Sequence, residues 1–227
     1  MFKSPKSYNE MLPKLNLATG IGTFAYVFVL ASCGYIPRID ANRALIPPLD
    51  PAYVRLTEWM LSFGIVPFAS AVLAYLLSSS FEMHNILSKL IGLRYFWDRF
   101  YIVGPLRERV DSHVPLNRVL VRRVMAEFYY KQLKDIDPHF VELFWRYAMQ
   151  FWMIFEHAFV VAASIVILLF LRPRNLEGPL WYLAIVAALT TAQFFLVTVK
   201  KTRDEVRQIS TQDVAAYFRG LTTIVRP

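Results

Sequence analysis

Four long hydrophobic runs stand out along the chain, separated by polar segments. They cover residues 17–36, 59–79, 149–171 and 179–199. Each run is close to the ~20 apolar residues that a helix needs to cross the hydrocarbon core of a bilayer. The pattern predicts an all-α fold, an integral membrane protein with four transmembrane helices and a juxtamembrane helical domain.

The polar segments complete the predicted organisation of the chain. The predicted parts are an N-terminal tail (1–16), a first pair of spans (17–79) with a connecting loop (37–58), a basic domain (80–148), a second pair of spans (149–199) and a C-terminal helix (200–227). Prolines at 37, 47, 48 and 51 interrupt helix formation. The connecting loop is therefore expected to be extended or turning.

Helical periodicity continues inside the basic domain. A first helix is expected over 81–100, ending before Gly104 and Pro105. Asp111 or Ser112 is expected to cap the next helix. The apolar face predicted for that helix consists of Leu116, Val119, Leu120, Val124 and Phe128.

The second half of the chain predicts one unusually long helix, from Pro138 to Leu171. Asp137 is a candidate cap, and Pro138 suits the first helical position because no N–H is needed there. No helix breaker follows before Pro173. The lower turns of this helix are expected to stand outside the membrane. The residues expected to pack the C-terminal tail against the basic domain are Val206, Ile209, Val214, Tyr217 and Phe218.

Composition and charge narrow the class of protein. Hydrophobic residues make up 56% of the chain, which together with the four long apolar runs argues against an ordinary soluble domain. Cys33 is the only cysteine, so no intrachain disulfide can form and no Cys-based zinc site is indicated. Twenty of the 25 Lys and Arg residues lie in the two tails and the basic domain. The positive-inside rule then predicts that both termini and this domain are cytoplasmic.

Arginines and aromatic residues alternate through the basic domain, a pattern that suits an anionic ligand. Guanidinium groups bind phosphates, and exposed rings stack on bases. The candidate ligand-binding residues are Arg94, Arg99, Arg107, Arg109, Arg118, Arg122, Arg123, Lys131, Arg146, Tyr129 and Tyr130. Contact with anionic lipid headgroups, or simple control of topology, is a strong alternative explanation of the same charges. Both interpretations stay open at this point.

Candidate pore or gate residues lie within the hydrophobic runs. Glu156 and His157 are about two turns into the third run, and Gln193 is expected at a similar depth in the fourth. Ionisable groups inside a membrane are costly and often mark ion paths. Pro67 permits a kink in the second span because it removes a backbone donor.

Signals of catalysis are weak. The chain has no glycine-rich phosphate loop, no His-Glu-x-x-His sequence and no nucleophile elbow. We therefore predict that the protein is not an enzyme, with no catalytic residues, cofactor or metal. The remaining enzymatic alternative is a lipid-modifying enzyme using Asp111, His113 or His139.

In layout, the chain resembles the small four-helix membrane effectors of bacterial anti-phage defence, and the Hailong type in particular. The resemblance rests on four spans, short termini and the basic aromatic block from Arg94 through Arg146, without a shared motif. It implies an oligomeric channel in the bacterial inner membrane that permeabilises the membrane. It also implies control by a nucleotide or single-stranded DNA oligomer made by a partner nucleotidyltransferase.

The leading hypothesis is thus a homo-oligomeric membrane effector or ion channel gated by an anionic ligand. Arg118, Arg122, Arg123, Lys131 and Arg146 are the residues expected to bind phosphate. The helix over 138–171 is expected to transmit occupancy to the pore. The alternative is an accessory or structural membrane protein whose basic domain binds lipid headgroups or a partner protein.

Overall fold

The computed structural model of the protein describes residues 5–36, 51–171 and 176–224. Every regular element in these ranges is helical, which confirms the all-α prediction for the described residues. The α-helices are α1 (Tyr8–Ser32), α2 (Pro51–Met60), α3 (Val66–Phe81), α4 (Met83–Leu90), α5 (Leu93–Trp97), α6 (Gly104–Arg109), α7 (Arg118–Val124), α8 (Tyr130–Gln132), α9 (Pro138–Leu171), α10 (Glu177–Ala192), α11 (Val199–Val206) and α12 (Thr211–Ile224). Wider π-helical turns join consecutive helices at Leu61–Ile65, Asp98–Val103, Met125–Tyr129 and Gln193–Thr198.

Within the described ranges, four continuous helical stretches are long and apolar enough to cross a membrane. They are Tyr8–Ser32, Pro51–Phe81, Pro138–Phe170 and Glu177–Val206. The first has 25 residues. At 1.5 Å per residue it is about 37 Å long, which exceeds the ~30 Å hydrocarbon core. The number of candidate spans agrees with the number of hydrophobic runs.

Both helices of the first pair begin earlier than predicted. α1 starts inside the 1–16 tail, where Ser7 Oγ accepts a hydrogen bond from the Glu10 backbone N–H at 3.3 Å. A Ser-x-x-Glu sequence favours this cap, so the polar tail can enter the helix. α2 starts at Pro51, inside the predicted loop, because proline is compatible with the first helical turn. Residues 51–58 of the predicted loop are therefore helical and not extended, and residues 37–50 lie outside the described residues.

Gly104 and Pro105 do not end a helix, which corrects the predicted boundary. In the π-helical turn before them, the Gly104 N–H donates to the Arg99 carbonyl oxygen. Pro105 then lies in the first turn of α6, where its missing N–H is tolerated. A Cβ on Gly104 would lie 2.8 Å from the Arg99 oxygen, so this turn requires glycine.

The helix after the turn begins later than predicted. Asn117 caps α7, because its Oδ1 accepts a hydrogen bond from the Leu120 N–H at 2.8 Å. The prediction that Asp111 or Ser112 forms this cap is wrong.

The predicted apolar face of this helix is only partly correct. Val124 and Phe128 are buried, but Val119 is 76% exposed. Val121 and Met125 are buried in its place. The buried residues Val121, Val124, Met125 and Phe128 follow the three- and four-residue spacing of one helix face, and this face is rotated away from Val119.

The later elements follow their prediction more closely. α9 runs from Pro138 to Leu171 as predicted, and Asp137 Oδ1 accepts a hydrogen bond from the His139 N–H at 2.8 Å. The single C-terminal helix predicted over 200–227 is instead divided between α11 and α12. The predicted packing residues Val206, Ile209, Val214 and Phe218 are all buried.

The chain divides into two compact units. The apolar unit contains residues 12–83 and 152–190. Its core joins Tyr26, Val27 and Leu30 of α1 to Val161, Ile165 and Leu168 of α9. The basic unit contains residues 1–11, 84–151 and 191–227. Both units therefore draw on widely separated parts of the sequence.

Trp97 lies at the centre of the core of the basic unit. Its ring centroid is 5.3 Å from Phe194, 5.7 Å from Phe151 and 6.0 Å from Phe144, with the rings edge to face. Its Nε1–H donates to Thr202 Oγ1 at 3.0 Å. Such contacts fix a large apolar ring and satisfy its one polar atom. Part of the aromatic block is thus core.

Candidate anion-binding pocket and buried polar cluster

A pocket of about 440 Å³ opens on the basic unit beside α5 and α7. The charged and aromatic residues that line it are Lys89, Arg94, Asp98, Arg118, Arg122, Tyr95 and Tyr130. We call it the basic pocket. Four cationic side chains face one carboxylate, so the lining carries net positive charge. Backbone and apolar atoms of residues such as Gly92 and Val121 complete the wall.

The helical repeat explains which arginines of α7 reach the pocket. Arg118 and Arg122 are four residues apart and therefore lie on one face of the helix. Val121 and Val124 occupy the buried face, which fixes the rotation of the helix. Arg123 is turned about 100° from Arg122 and lies outside the lining.

Contacts within the pocket position the guanidinium groups without covering them. Arg118 Cζ lies 5.6 Å from the centroid of the Tyr95 ring, within the range of a cation–π contact. Arg94 Nη1 donates to Asn85 Oδ1 at 3.0 Å. Arg94, Arg118 and Arg122 all remain exposed. Their unused N–H groups can donate to an anion from solution.

Asp98 gives the pocket a titratable acceptor. Burial raises the pKa of Asp98 to about 6, and the neighbouring Arg94 opposes this increase. The carboxyl group therefore changes charge just below neutral pH. An ionised Asp98 accepts hydrogen bonds from a ligand but repels phosphate, so its protonation state affects which ligand fits.

The structure places the other predicted ligand-binding residues outside the pocket lining. Some have structural partners of their own. Arg109 donates to the carbonyl oxygens of Ile209 at 2.8 Å and Val206 at 3.0 Å, which satisfies the open end of α11. Tyr129 is 1% exposed and donates to Glu205 Oε2 at 3.1 Å. A ligand contact predicted for Tyr129 does not agree with this burial.

The remaining predicted cations lie on the surface. Arg123 pairs with Glu127 at 2.8 Å, and Arg146 with Glu142 at 3.6 Å. Arg99 Cζ lies 5.2 Å from the Phe100 ring. Arg107 lies on α6, and Lys131 is exposed on α8. The arginine and lysine block is therefore divided between one pocket and several separate surface positions.

Inside the apolar unit, a second polar site surrounds Glu156. This carboxyl group is 0% exposed. Thr19 Oγ1 donates to its Oε2, and Ser78 Oγ lies 3.1 Å from the same oxygen. Ser78 Oγ also lies 2.8 Å from Asn16 Oδ1. We call these four residues, drawn from α1, α3 and α9, the polar cluster.

The other predicted gate residues have different surroundings. His157 Nε2 and the Tyr182 hydroxyl are 2.8 Å apart, beside a largely apolar cavity of about 730 Å³ in the apolar unit. Gln193 Nε2 donates to Gln150 Oε1 at 3.4 Å in the basic unit. Pro67 is buried in the first turn of α3, directly after a π-helical turn. A gating role for these residues stays a prediction.

Several residues of both sites were absent from the sequence prediction. Lys89, Tyr95 and Asp98 belong to the basic pocket but are not among the predicted ligand-binding residues, most of which are arginines. Asn16, Thr19 and Thr23 are all buried and form a polar stripe on the apolar helix α1. Their three- and four-residue spacing was the available signal, since it places them on one helix face.

The residues of the enzymatic alternative do not form a metal site among the described residues. No group of three or more His, Cys, Asp or Glu side chains in those ranges could hold a metal ion. Asp111 lies in a left-handed turn, with φ of 49°. Whether Asp111, His113 or His139 takes part in catalysis stays a prediction.

Comparison with known proteins assigns the chain to a family. The family model described as the YmfE protein family matches residues 7–220. The chain is also similar to the uncharacterized protein YmfE of Escherichia coli (strain K12), at 35% identity over 226 residues and 96% of each chain. No solved structure matches the chain. Because the family model covers nearly the whole sequence, the protein belongs to the YmfE family.

Proposed function

We propose that this protein is a multi-pass membrane effector whose basic pocket binds a phosphate-bearing anion and thereby controls ion permeation. The convergence of Lys89, Arg94, Arg118 and Arg122 on one pocket carries the proposal. A set of exposed guanidinium groups around a concave surface suits phosphate better than a flat membrane contact. The proposed location is the bacterial inner membrane, with both termini and the pocket in the cytoplasm.

The two aromatic residues of the pocket support a nucleotide or a short single-stranded DNA oligomer as ligand. Tyr95 and the 43% exposed Tyr130 offer rings beside the cations. Bases stack on such rings while arginines bind the phosphates. A lipid headgroup would use the cations alone, so the rings distinguish the two ligand classes.

Control of permeation is the proposed output of binding. α9 contributes residues to both compact units and is the element proposed to transmit occupancy. Assembly of several copies around an axis would surround a pore and bring several pockets to one multivalent ligand. A nucleotidyltransferase is the proposed partner that supplies this ligand.

Binding of a fluorescent oligothymidylate to the purified full chain in detergent tests the proposal. Arg118→Glu with Arg122→Glu should weaken binding about 100-fold, because each reversal replaces attraction with repulsion. Arg123→Glu is the matched control, since the same substitution lies on the same helix outside the pocket. Equal loss in both variants, or no binding by the wild type at low salt, would refute the pocket.

Two further experiments distinguish the ligand classes and test whether binding controls ion permeation. Tyr95→Leu with Tyr130→Leu should weaken oligonucleotide binding and leave binding to vesicles of anionic lipid unchanged. Vesicle binding that outcompetes oligonucleotide would favour the accessory-protein alternative.

Ion flux from liposomes, measured with and without oligothymidylate, tests the channel. Flux that never responds to a bound oligonucleotide would contradict gating.

A further inference from the structure

Asp98 places a carboxylate in a pocket whose other polar side chains are mainly cations and tyrosines. Arg94, one helical turn earlier, donates to Asn85 Oδ1 at 3.0 Å. Within the ranges that the structure describes, the Asp98 carboxylate accepts no hydrogen bond and forms no ion pair, although the charge of Arg94 acts on it. Buried acceptors normally have a donor. A ligand with N–H groups can supply the donors that this carboxylate lacks.

The helical repeat places Asp98 beside groups that bind other parts of a nucleotide. Arg94 and Tyr95 precede it by four and three residues, so the three side chains lie on one helix face. Burial raises the pKa of the Tyr130 hydroxyl, and the nearby charge of Asp98 raises it further. Both tyrosines of the pocket are therefore neighbours of Asp98. A base that stacks on either ring can present its edge to the carboxylate.

Guanine is the DNA base whose edge matches a carboxylate. Its N1–H and N2–H₂ groups are adjacent donors, and a carboxylate offers two acceptor oxygens. Adenine and cytosine each present one amino group beside a ring nitrogen that is itself an acceptor. Thymine presents one N–H between two carbonyl oxygens, which a carboxylate repels. Only guanine can therefore make two charge-assisted hydrogen bonds to one ionised carboxyl group.

We propose that the basic pocket recognises guanine, with the Asp98 carboxylate accepting hydrogen bonds from the N1–H and N2–H₂ groups of the base. Arg118 and Arg122 then bind the phosphate. The inference rests on the proposed function, because it names the base that the phosphate-bearing ligand carries. At pH 7.5 the carboxyl group is mostly ionised, since its pKa is about 6. Asp98 therefore selects a base as well as repelling phosphate.

Fluorescent DNA trinucleotides with a variable central base between two thymidines test the preference on the purified full chain in detergent at pH 7.5. The central bases are guanine, hypoxanthine, adenine, cytosine and thymine, so charge and length stay constant. The guanine trinucleotide should bind about 20-fold more tightly than the thymine one. Hypoxanthine lacks the N2 amino group, so its trinucleotide should bind about fivefold more weakly than the guanine one.

Asp98→Asn should change the two extreme affinities in opposite directions. The guanine trinucleotide should bind about tenfold more weakly, because an amide has one acceptor oxygen and turns a donor toward the base. The thymine trinucleotide should bind more tightly, because a charge that repels phosphate is removed. Asp135→Asn is the matched control and should change neither affinity, since Asp135 lies in an exposed turn outside the pocket lining.

Unlabelled deoxyguanosine monophosphate identifies the form in which guanine is bound. Displacement of the guanine trinucleotide at similar concentrations would indicate a mononucleotide as ligand. Displacement only at much higher concentrations would indicate an oligomer, whose further phosphates add contacts. Either result supports recognition of guanine, provided that the same concentrations of thymidine monophosphate displace less.

Three results would overturn the proposal. They are equal affinity of the wild type for all five trinucleotides, equal affinity for guanine and hypoxanthine, and tighter binding of both extreme trinucleotides by Asp98→Asn. The second needs no variant and stays decisive if Asp98→Asn does not fold. Binding that is lost in Arg118→Glu with Arg122→Glu but shows no base preference would refute guanine recognition and leave the pocket intact. No trinucleotide binding by the wild type at low salt would refute both.

Discussion

The basic pocket and the polar cluster hold charge in opposite ways. In the pocket, four cationic side chains surround an open concavity, and Arg94, Arg118 and Arg122 remain exposed. In the cluster, one carboxyl group is buried and hydrogen-bonded by neutral hydroxyl groups. Exposed charges keep their hydration until a ligand replaces it, whereas a buried charge depends on fixed partners.

This difference determines what each site responds to. Pocket cations attract anions at long range and are screened by salt. The cluster is buried and therefore shielded from salt, so it responds mainly to substitutions that change its hydrogen bonds. Loss of ligand binding and loss of stability should therefore be separable by mutation and by salt concentration.

The largest effect is expected at the polar cluster. Glu156→Ala should lower the free energy of unfolding by about 3 kcal/mol, because it leaves buried hydroxyl groups without an acceptor and creates a cavity. Glu142→Ala should change it little, since its pair with Arg146 is largely solvated. Denaturant unfolding in mixed micelles measures both. Equal losses would remove the distinction between buried and exposed carboxylates.

Salt should have a comparably large effect on the pocket alone. If four phosphates are neutralised, raising salt from 50 to 200 mM should weaken oligothymidylate binding about 50-fold. Fluorescence anisotropy across a salt series measures the slope. The loss of unfolding free energy caused by Glu156→Ala should stay constant over the same range. A loss that changes with salt would show that the cluster is not shielded from solvent ions.

Asp98 provides a pH test within the pocket. Its pKa is raised to about 6 by burial, above the ~4 of an unfolded chain, so the folded state holds this proton more tightly. Stability from the protonated form is present below pH 4 and is lost as pH rises through 6. Asp98→Asn should remove this loss of stability with rising pH, which is measured as melting temperature against pH. It should also tighten oligothymidylate binding about fivefold at pH 7.5, because one repelling charge is gone.

Glu156→Gln is the control for that experiment. Asp98 lies in the other unit, so the fall in melting temperature with rising pH should persist in the Glu156→Gln protein. An Asp98→Asn protein whose melting temperature still falls between pH 4 and 6 would assign the titration to another group.

Arg123→Ala should give the smallest effect. Arg123 lies beside the pocket in sequence but pairs with Glu127 on the surface. Exposed pairs of this kind contribute little to stability. Oligothymidylate affinity and melting temperature should both match the wild type. A clear loss of affinity would extend the binding surface beyond the pocket.

Hydrophobic pattern, together with the positions of proline and one capping aspartate, predicted the long helices. The four candidate spans, the cap at Asp137 and the helix from Pro138 to Leu171 all agree with the prediction. Long apolar runs and proline positions act locally, so the sequence reveals them. Errors came where a helix begins ahead of its hydrophobic run, as at Ser7 and Pro51, because the run itself does not show where the helix is capped.

The candidate sites were less predictable. The sequence does not distinguish Arg118 and Arg122 from Arg109, yet Arg109 donates hydrogen bonds to two backbone carbonyl oxygens. Glu205 lies in a strongly charged stretch but is 0% exposed. Charge patterning predicts that a segment meets water, and cannot show which members of it face a pocket, a helix end or a core.

The sequence by itself determined that the chain is helical, has four candidate spans and concentrates its cations outside them, because hydrophobicity, helix breakers and charge are properties of short segments. Only the tertiary structure decided that Lys89, Arg94, Arg118 and Arg122 share one pocket, and that Glu156 meets Thr19 and Ser78. Those groupings join residues up to 137 positions apart. They depend on how helices rotate and pack, which no local pattern specifies.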